Sequence, residues 1–278
     1  YKENLVINTA ISLIGSSMDS TVIDGTGIGD LTITINKNTQ MENFCIYGKT
    51  TGVGYGIFSV TNSPTIEIRN CVIKNTGRGI AVTGLKGYNI ILTDLRSGII
   101  SSANPNTDNY ITNCVIQLNR EHANGINLSG PNYANYEINN NIILFSGTAN
   151  PDNGISIGAP RRVIIKNNLV SDFRANIFID SVLDTVFINN NIFAYQYPYG
   201  TIASILTTGN QVITNNLILL KNGIGIEHLG SGFVRSNYNM FWENVLDLYG
   251  TTYGDSDIVN KDPMFVNDTI PTANGSYD

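Results

Sequence analysis

The chain has 278 residues, of which 42% are hydrophobic and only 14% are charged, and its formal net charge is -6. The sequence contains no run of about 18 apolar residues, so it predicts no membrane-spanning helix, and it lacks the basic stripe that a nucleic-acid partner requires. Because Ile, Thr, Asn and Gly are plentiful while Ala, Glu and Lys are scarce, strands are favoured over helices.

The three cysteines, Cys45, Cys71 and Cys114, are too few and too odd in number for a disulfide framework. None belongs to a CxxC pair, and only His122 and His228 could join them as histidine ligands. We therefore predict buried thiols that behave as small apolar side chains, and no metal site.

One sequence pattern recurs along the chain: an alternating apolar stretch, an Asn and then two apolar residues. Taking the Asn nearest the apolar pair, the copies are marked by Asn43, Asn70, Asn113, Asn141, Asn168, Asn191, Asn216 and Asn239. Successive copies lie 23–28 residues apart, except for one interval of 43 residues in which Asp94 is predicted to mark a hidden copy. Where two Asn are adjacent, as at Asn140 and Asn141, counting from the preceding strand selects the first Asn and counting from the apolar pair selects the second. A two-residue turn formed by both Asn would be consistent with either count.

A second pattern follows each Asn after nine to fourteen residues: usually a Gly and an alternating triplet, as at Gly125–Leu128. Each period therefore holds about three short strands and no helix. A lone unit of about 25 residues cannot bury its apolar face, whereas stacked units place each strand about 4.8 Å from its counterpart. Asn suits the corner because it tolerates left-handed φ and ψ, and its amide can bond to the Asn above and below.

The repeat, the opening residues 1–25 and the closing segments 238–244 and 260–267 resemble right-handed parallel β-helix proteins of the pectate lyase-like group. That group includes carbohydrate-binding and sugar-hydrolase proteins and NosD-like periplasmic proteins. The resemblance covers nearly the whole chain and implies an all-β, right-handed parallel β-helix of about ten coils with an Asn ladder at one corner. We expect residues 1–278 to form one domain excised from a longer protein, with residues 268–278 as a C-terminal tail.

The ends and the acidic, Asn-rich composition also resemble surface proteins of methanogenic archaea of the disaggregatase kind. Such proteins break down an acidic heteropolysaccharide that binds cells together. This resemblance implies an extracellular or cell-surface location and a polysaccharide partner. The sequence leaves the oligomeric state open.

In the pectate lyase-like group, substrates usually lie along the outer face of the first sheet, which the Gly-led strands fit best. Alternation places six side chains on that face: Asn127, Ser129, Ser156, Phe178, Asp180 and Glu227. Asp180 and Glu227 are expected in equivalent positions two coils apart, with backbones about 10 Å apart. With side-chain freedom this approaches the roughly 6.5–9.5 Å between the carboxyls of inverting glycosidases, although both can equally be solvated surface acids.

The loops that enter this sheet contribute further candidates: Glu121, His122, Asp152, Asp172, Arg174, Tyr195, Tyr197 and Tyr199. The three acids are substitutes for the catalytic pair, and His122 and Arg174 are expected to contact substrate. Tyrosine rings suit sugar rings because they offer apolar contact and a hydroxyl partner. The alternative for His122 is an ordinary surface loop residue.

Three functions are compatible with these residues. The first is a glycoside hydrolase that uses paired carboxylates on a polysaccharide containing uronic acids. The second is a polysaccharide lyase acting by β-elimination, which in this group uses Ca²⁺ and an Arg or Lys base; otherwise no cofactor is expected. The third is a non-catalytic glycan-binding or surface module. Sequence motifs that mark particular activities in this group are mostly missing. Of the motifs that characterise polygalacturonase-like hydrolases, only Asn106-Thr107-Asp108 is present.

Overall fold

The computed structural model describes residues 1–49, 54–59, 65–102, 108–130, 134–148, 150–180, 182, 184–194, 203–219 and 223–264. Within these residues every regular element is a β-strand, and the strands pair in parallel with their counterparts in the next coil. The described residues contain no helix that could cross a membrane. The predicted all-β fold is confirmed: the chain is a parallel β-solenoid of about nine turns, built from three sheets.

Sheet 1 has eleven strands, which include the predicted Gly-led segments. Its strands are Leu5–Ile7, Leu31–Ile35, Tyr55–Ser59, Arg78–Thr83, Ser97–Ser102, Asn124–Ser129, Asn153–Gly158, Ala175–Asp180, Ala203–Thr207, Ile224–His228 and Leu246–Tyr249.

Sheets 2 and 3 adjoin at the Asn corner and share two long strands, Ile66–Lys74 and Leu85–Leu95, which continue through that corner. The other strands of sheet 2 are Ile11–Ile14, Thr39–Glu42, Asp108–Thr112, Asn135–Asn139, Arg162–Lys166, Thr185–Asn189, Asn210–Thr214 and Val234–Asn237. The other strands of sheet 3 are Val22–Asp24, Cys45–Tyr47, Val115–Leu118, Ile142–Phe145, Leu169–Ser171, Ile192–Ala194, Leu217–Leu219, Met240–Trp242 and Ile258–Val259.

The core is a set of stacked aliphatic side chains that repeat in register from coil to coil. One row in sheet 1 begins with Leu5 and ends with Leu248, and its nine members between them are isoleucines with no exposed surface: Ile33, Ile57, Ile80, Ile99, Ile126, Ile155, Ile177, Ile205 and Ile226. Fully burying an Ile side chain contributes about 1.5–3 kcal/mol, so stacking makes each coil depend on its neighbours.

The corner between sheets 2 and 3 is a two-residue turn, as the adjacent Asn pairs predicted. Its first residue has a left-handed φ of 55° at Asn140 and 57° at Asn167, and its second residue, Asn141 or Asn168, is buried. The anchors Asn43, Asn70 and Asn113 are first residues of this turn, whereas the later anchors are second residues.

The hidden copy was assigned to the wrong residue. Tyr88 pairs with Arg69 and Ile90 with Cys71, so Asn89, with a φ of 53°, is the counterpart of Asn70. Asp94 also has a positive φ, of 59°, but it lies at the far end of the shared strand. The corner at Asn89 and the corner at Asp94 both favour Asn or Asp, because these residues tolerate a left-handed backbone. The sequence pattern therefore does not distinguish the two corners.

The glycines of sheet 1 mark a row where coils approach too closely for a side chain. A Cβ on Gly125 would lie 2.4 Å from the backbone oxygen of Gly154, and one on Gly98 would lie 2.5 Å from that of Gly125. This contact explains the Gly that leads most of these strands.

Candidate functional site

The outer face of sheet 1 presents a central row of half-buried side chains. Strand register aligns Asn127 with Ser156, and Ser156 with Phe178. Ser129 and Asp180 lie in a second outward row, two residues further along their strands, and both are exposed. The central row is polar only at Asn127 and Ser156 and is flanked by apolar side chains, with Ile100 before Asn127 and Phe178 and Leu206 after Ser156.

The expectation that Asp180 and Glu227 occupy equivalent positions is wrong. Phe178 pairs with Leu206 and Leu206 with Glu227, so Glu227 belongs to the row of Phe178. Two coils and two residues separate the acids, which places their backbones about 12 Å apart. Both still lie on the outer face of sheet 1, where the hydroxyl of Thr208 donates to Asp180 at 3.5 Å.

The misalignment comes from two glycines two residues apart. In this strand Gly225, and not Gly223, belongs to the row of glycines where neighbouring coils approach too closely for a side chain. A Cβ added to Gly225 would lie 2.5 Å from the backbone oxygen of Asp247. The sequence pattern alone does not tell which of the two glycines has the close contact.

A histidine and a carboxylate meet at the edge of sheet 1, where strands enter from sheet 3. Nδ1 of His122 lies 3.6 Å from Oδ1 of Asp152, and the side-chain amide of Asn124 donates to Oδ2 of Asp152 at 3.3 Å. The backbone positions both loops, since the Asp152 N–H donates to the carbonyl of Ala123 at 2.9 Å.

Solvent reaches this group. The side chain of His122 is 64% exposed and that of Asp152 is 37% exposed. The 3.6 Å between Nδ1 and Oδ1 is longer than a hydrogen bond, so the carboxylate lies beside the imidazole and can form one with it after a small rotation. The pair can therefore accept or donate a proton on a ligand that lies along the sheet.

Arginines lie on both sides of this pair along the solenoid axis. Arg174 is exposed and follows in the next coil, where its backbone N–H donates to the carbonyl of Asp152 at 3.1 Å. Arg78 belongs to the row of Asn124, two coils earlier. Guanidinium groups pair with carboxylates, so this edge suits an anionic chain.

An aromatic group at the early end of sheet 1 was missed by the sequence reasoning. The rings of Tyr55 and Phe58 lie 5.1 Å apart, and the guanidinium of Arg78 lies 5.1 Å from the ring of Tyr55 and donates to its hydroxyl. The alternation of the Gly-led strand at Tyr55–Ser59 already placed Phe58 outward and could have revealed it.

The remaining acids have different surroundings. Glu121 is exposed in the loop beside His122. Asp172 is half-buried with a φ of 67°, and the hydroxyl of Ser171 donates to it at 2.7 Å. Burial raises the pKa of Asp172, and the hydrogen bond from Ser171 opposes this shift. Asp94 has a comparable left-handed backbone, so Asp172 has a structural reason to be at its corner.

Three predicted contacts and the tail cannot be placed. Tyr195, Tyr197 and Tyr199, and the tail 268–278, lie outside the described residues.

The cysteines are buried free thiols, as predicted. Burial raises the pKa of Cys71 to about 11 and that of Cys114 to about 12, which keeps both protonated and unreactive.

Calcium needs several oxygen ligands gathered in one place. Among the described residues there is no group of three or more His, Cys, Asp or Glu side chains that could hold a metal ion.

No protein-family model and no curated protein matches the sequence. Among solved structures, the A-module of the Azotobacter vinelandii mannuronan C-5 epimerase AlgE6 is similar to the chain, with a TM-score of 0.53 at 11% sequence identity. The similarity covers 92% of this chain and 87% of the module. The chain has the parallel β-helix fold. At this identity the similarity concerns the fold of the β-helix and not its individual side chains.

Proposed function

We propose that this β-helix acts on an extracellular polysaccharide that contains uronic acids, as a lyase, with the chain of sugars lying along the outer face of sheet 1. The observation that carries the proposal is the contact between His122 and Asp152 at the edge of that face. The structural neighbour is named for its action on mannuronan, which is a polymer of a uronic acid.

In β-elimination a base removes the proton at C5 of the uronate, next to the sugar carboxylate. In our proposal Nε2 of His122 takes this proton, and the electron pair of the broken C–H bond forms the C4–C5 double bond. The glycosidic oxygen at C4 leaves and takes a proton from water. Asp152 lies beside Nδ1 and would stabilise the imidazolium that forms, and Arg174 and Arg78 would bind uronate carboxylates on either side.

The test is a panel of uronate polysaccharides, among them alginate, pectate, chondroitin and heparosan, incubated with and without chelator. We expect shorter products whose absorbance is that of an unsaturated uronate, with or without chelator. His122→Ala and Asp152→Asn should abolish this signal. Asp184→Asn changes the same charge at an exposed residue just before the sheet 2 strand Thr185–Asn189, and it should retain the signal. Fragments that lack the double bond would contradict the lyase.

A hydrolase is the second candidate, because Asp180 and Glu227 share the outer face of sheet 1. It would release reducing ends without any unsaturated product, and Asp180→Asn and Glu227→Gln would each reduce that release. Saturable binding with no change in glycan size would instead indicate a binding module.

A further inference from the structure

A depression on the outer face of sheet 2 lies apart from the site of sheet 1. It has a volume of about 160 Å³ and is lined by outward side chains of three successive coils. Asp108, Asn135 and Arg162 form one row, and Tyr110, Glu137 and Ile164 form the next. Pockets for drug-sized molecules measure roughly 300–1,000 Å³, so this depression has room for one ring.

Hydrogen bonds hold these polar groups in position. The amide of Asn135 donates to Oδ1 of Asp108 at 2.8 Å, and the hydroxyl of Tyr110 donates to Oδ2 of the same carboxylate at 3.3 Å. Burial, and then the charge of Asp108, raise the pKa of Tyr110, so its hydroxyl stays a donor. A preorganised set of this kind loses little side-chain entropy when it binds a ligand.

The charges of the depression are balanced. Nζ of Lys166 lies 2.9 Å from Oε1 of Glu137, and Arg162 supplies a second cation in the row of Asp108, two coils away, where its guanidinium lies 5.9 Å from the ring of Phe187. The depression therefore has no net charge that would favour an anionic ligand, and a neutral ligand meets hydrogen-bond acceptors and donors of both kinds. The half-buried ring of Tyr110 adds an apolar surface with a polar edge.

We propose that this depression binds one neutral sugar ring, with hydroxyls bound by Asp108, Asn135, Glu137 and Arg162 and the ring packed against Tyr110. It is a binding site for a neutral unit of the polysaccharide, separate from the proton-transfer site of sheet 1. The inference rests on the proposed function only for the source of the sugar, because the expected binding of a neutral ring is argued from the side chains of the depression alone.

Saturation-transfer NMR with methyl β-D-glucopyranoside, methyl β-D-galactopyranoside and methyl β-D-glucuronide tests the site. We expect a signal from at least one neutral glycoside that is reduced in variants of the depression, whereas any signal from the glucuronide, which the arginines of sheet 1 are proposed to bind, should not change in those variants. Tyr110→Ala and Glu137→Gln should each weaken neutral binding by about tenfold, the effect of losing one good contact. Glu137→Gln preserves the shape of the side chain, so it remains informative if Tyr110→Ala fails to fold.

Arg235→Ala is the matched control, because Arg235 lies in the same outward row, three coils beyond Ile164. It should leave neutral binding unchanged, and so should His122→Ala. A signal that is absent with both neutral glycosides, or that is equal in wild type, Tyr110→Ala and Glu137→Gln, overturns the site. A signal that depends on Tyr110 in a protein that cleaves no polysaccharide would retain this site and reject the proposed function.

Discussion

The side-chain amide of Asn168 donates a hydrogen bond of 2.9 Å to the amide oxygen of Asn191 in the next coil. The same oxygen also accepts the backbone N–H of Asn168 at 2.9 Å. This unit repeats through five buried residues: Asn141, Asn168, Asn191, Asn216 and Asn239. The ladder ends on Asp257, whose Oδ1 accepts the backbone N–H of Asn239 at 2.8 Å.

The ladder predicts a large effect at its centre. Asn191→Ala removes the oxygen that accepts the buried backbone N–H of Asn168, and it removes the amide that donates to the carbonyls of Ile165 and Asn189, so we expect the free energy of unfolding to fall by about 3 kcal/mol. Asn190→Gly is the control in the same turn, because Gly accepts the left-handed φ of 57°, and should change stability by less than about 1 kcal/mol. Urea denaturation measures both; equal effects would contradict the ladder's role.

The ladder can also be lengthened. Cys114 occupies the position that precedes Asn141, and its backbone N–H already donates to Oδ1 of Asn141 at 2.9 Å. Cys114→Asn adds an amide that can donate to the same oxygen, as Asn141 does to Asn168. We expect about 1 kcal/mol of added stability in urea denaturation. Cys114→Ala removes buried volume without adding a donor and should destabilise; a loss of stability in both variants would reject the extension.

The glycine row predicts a strong contrast between two nearby glycines. A Cβ on Gly125 would meet the Gly154 backbone oxygen at 2.4 Å, whereas a Cβ on Gly158 would have nothing within 4 Å. Gly125→Ala should therefore lower the free energy of unfolding by about 1–3 kcal/mol through overpacking. Gly158→Ala should be neutral or slightly stabilising, because it restricts the unfolded chain. Thermal unfolding of the two variants measures this contrast, and equal melting temperatures for Gly125→Ala and Gly158→Ala would contradict the close contact at Gly125.

Asp172 predicts a pH dependence. Its pKa is raised in the folded chain because burial penalises the carboxylate, so the unfolded state releases this proton first. Ionisation of Asp172 therefore lowers stability as pH rises from the ordinary value of 3.8 through the folded pKa. Asp172→Asn removes this cost and keeps a residue that tolerates the left-handed φ.

Asp172→Asn should thus be more stable than wild type at neutral pH, and the difference should disappear below the ordinary pKa. Urea midpoints measured across pH check this, with Asp94→Asn as the control at an exposed left-handed position. A difference that is constant with pH would point to packing and not to the charge of Asp172.

The sequence reasoning succeeded where a residue's own backbone preference decides the structure. Asn140 and Asn141 were correctly expected to form a two-residue turn, because left-handed φ is a local property of Asn. It failed where a choice depends on a neighbouring coil. Gly223 and Gly225 are equivalent as residues, and only the contact of Gly225 with Asp247 selects the tight position.

The proton-transfer site illustrates the same division. His122 and Asp152 were both candidates, but their contact joins loops 30 residues apart and depends on the hydrogen bond from Asp152 to Ala123. Asp180 and Glu227 were paired by counting along the sequence, and strand register separated them.

The amino-acid sequence by itself determined the coil, its corners and its all-β core, because these follow from local preference and from the period at which apolar residues recur. Only the tertiary structure decided which polar side chains meet. In a stack of parallel strands, a shift of two residues in register keeps every side chain on its own face, so the buried set is preserved, but it moves each outward side chain by about 7 Å along the strand.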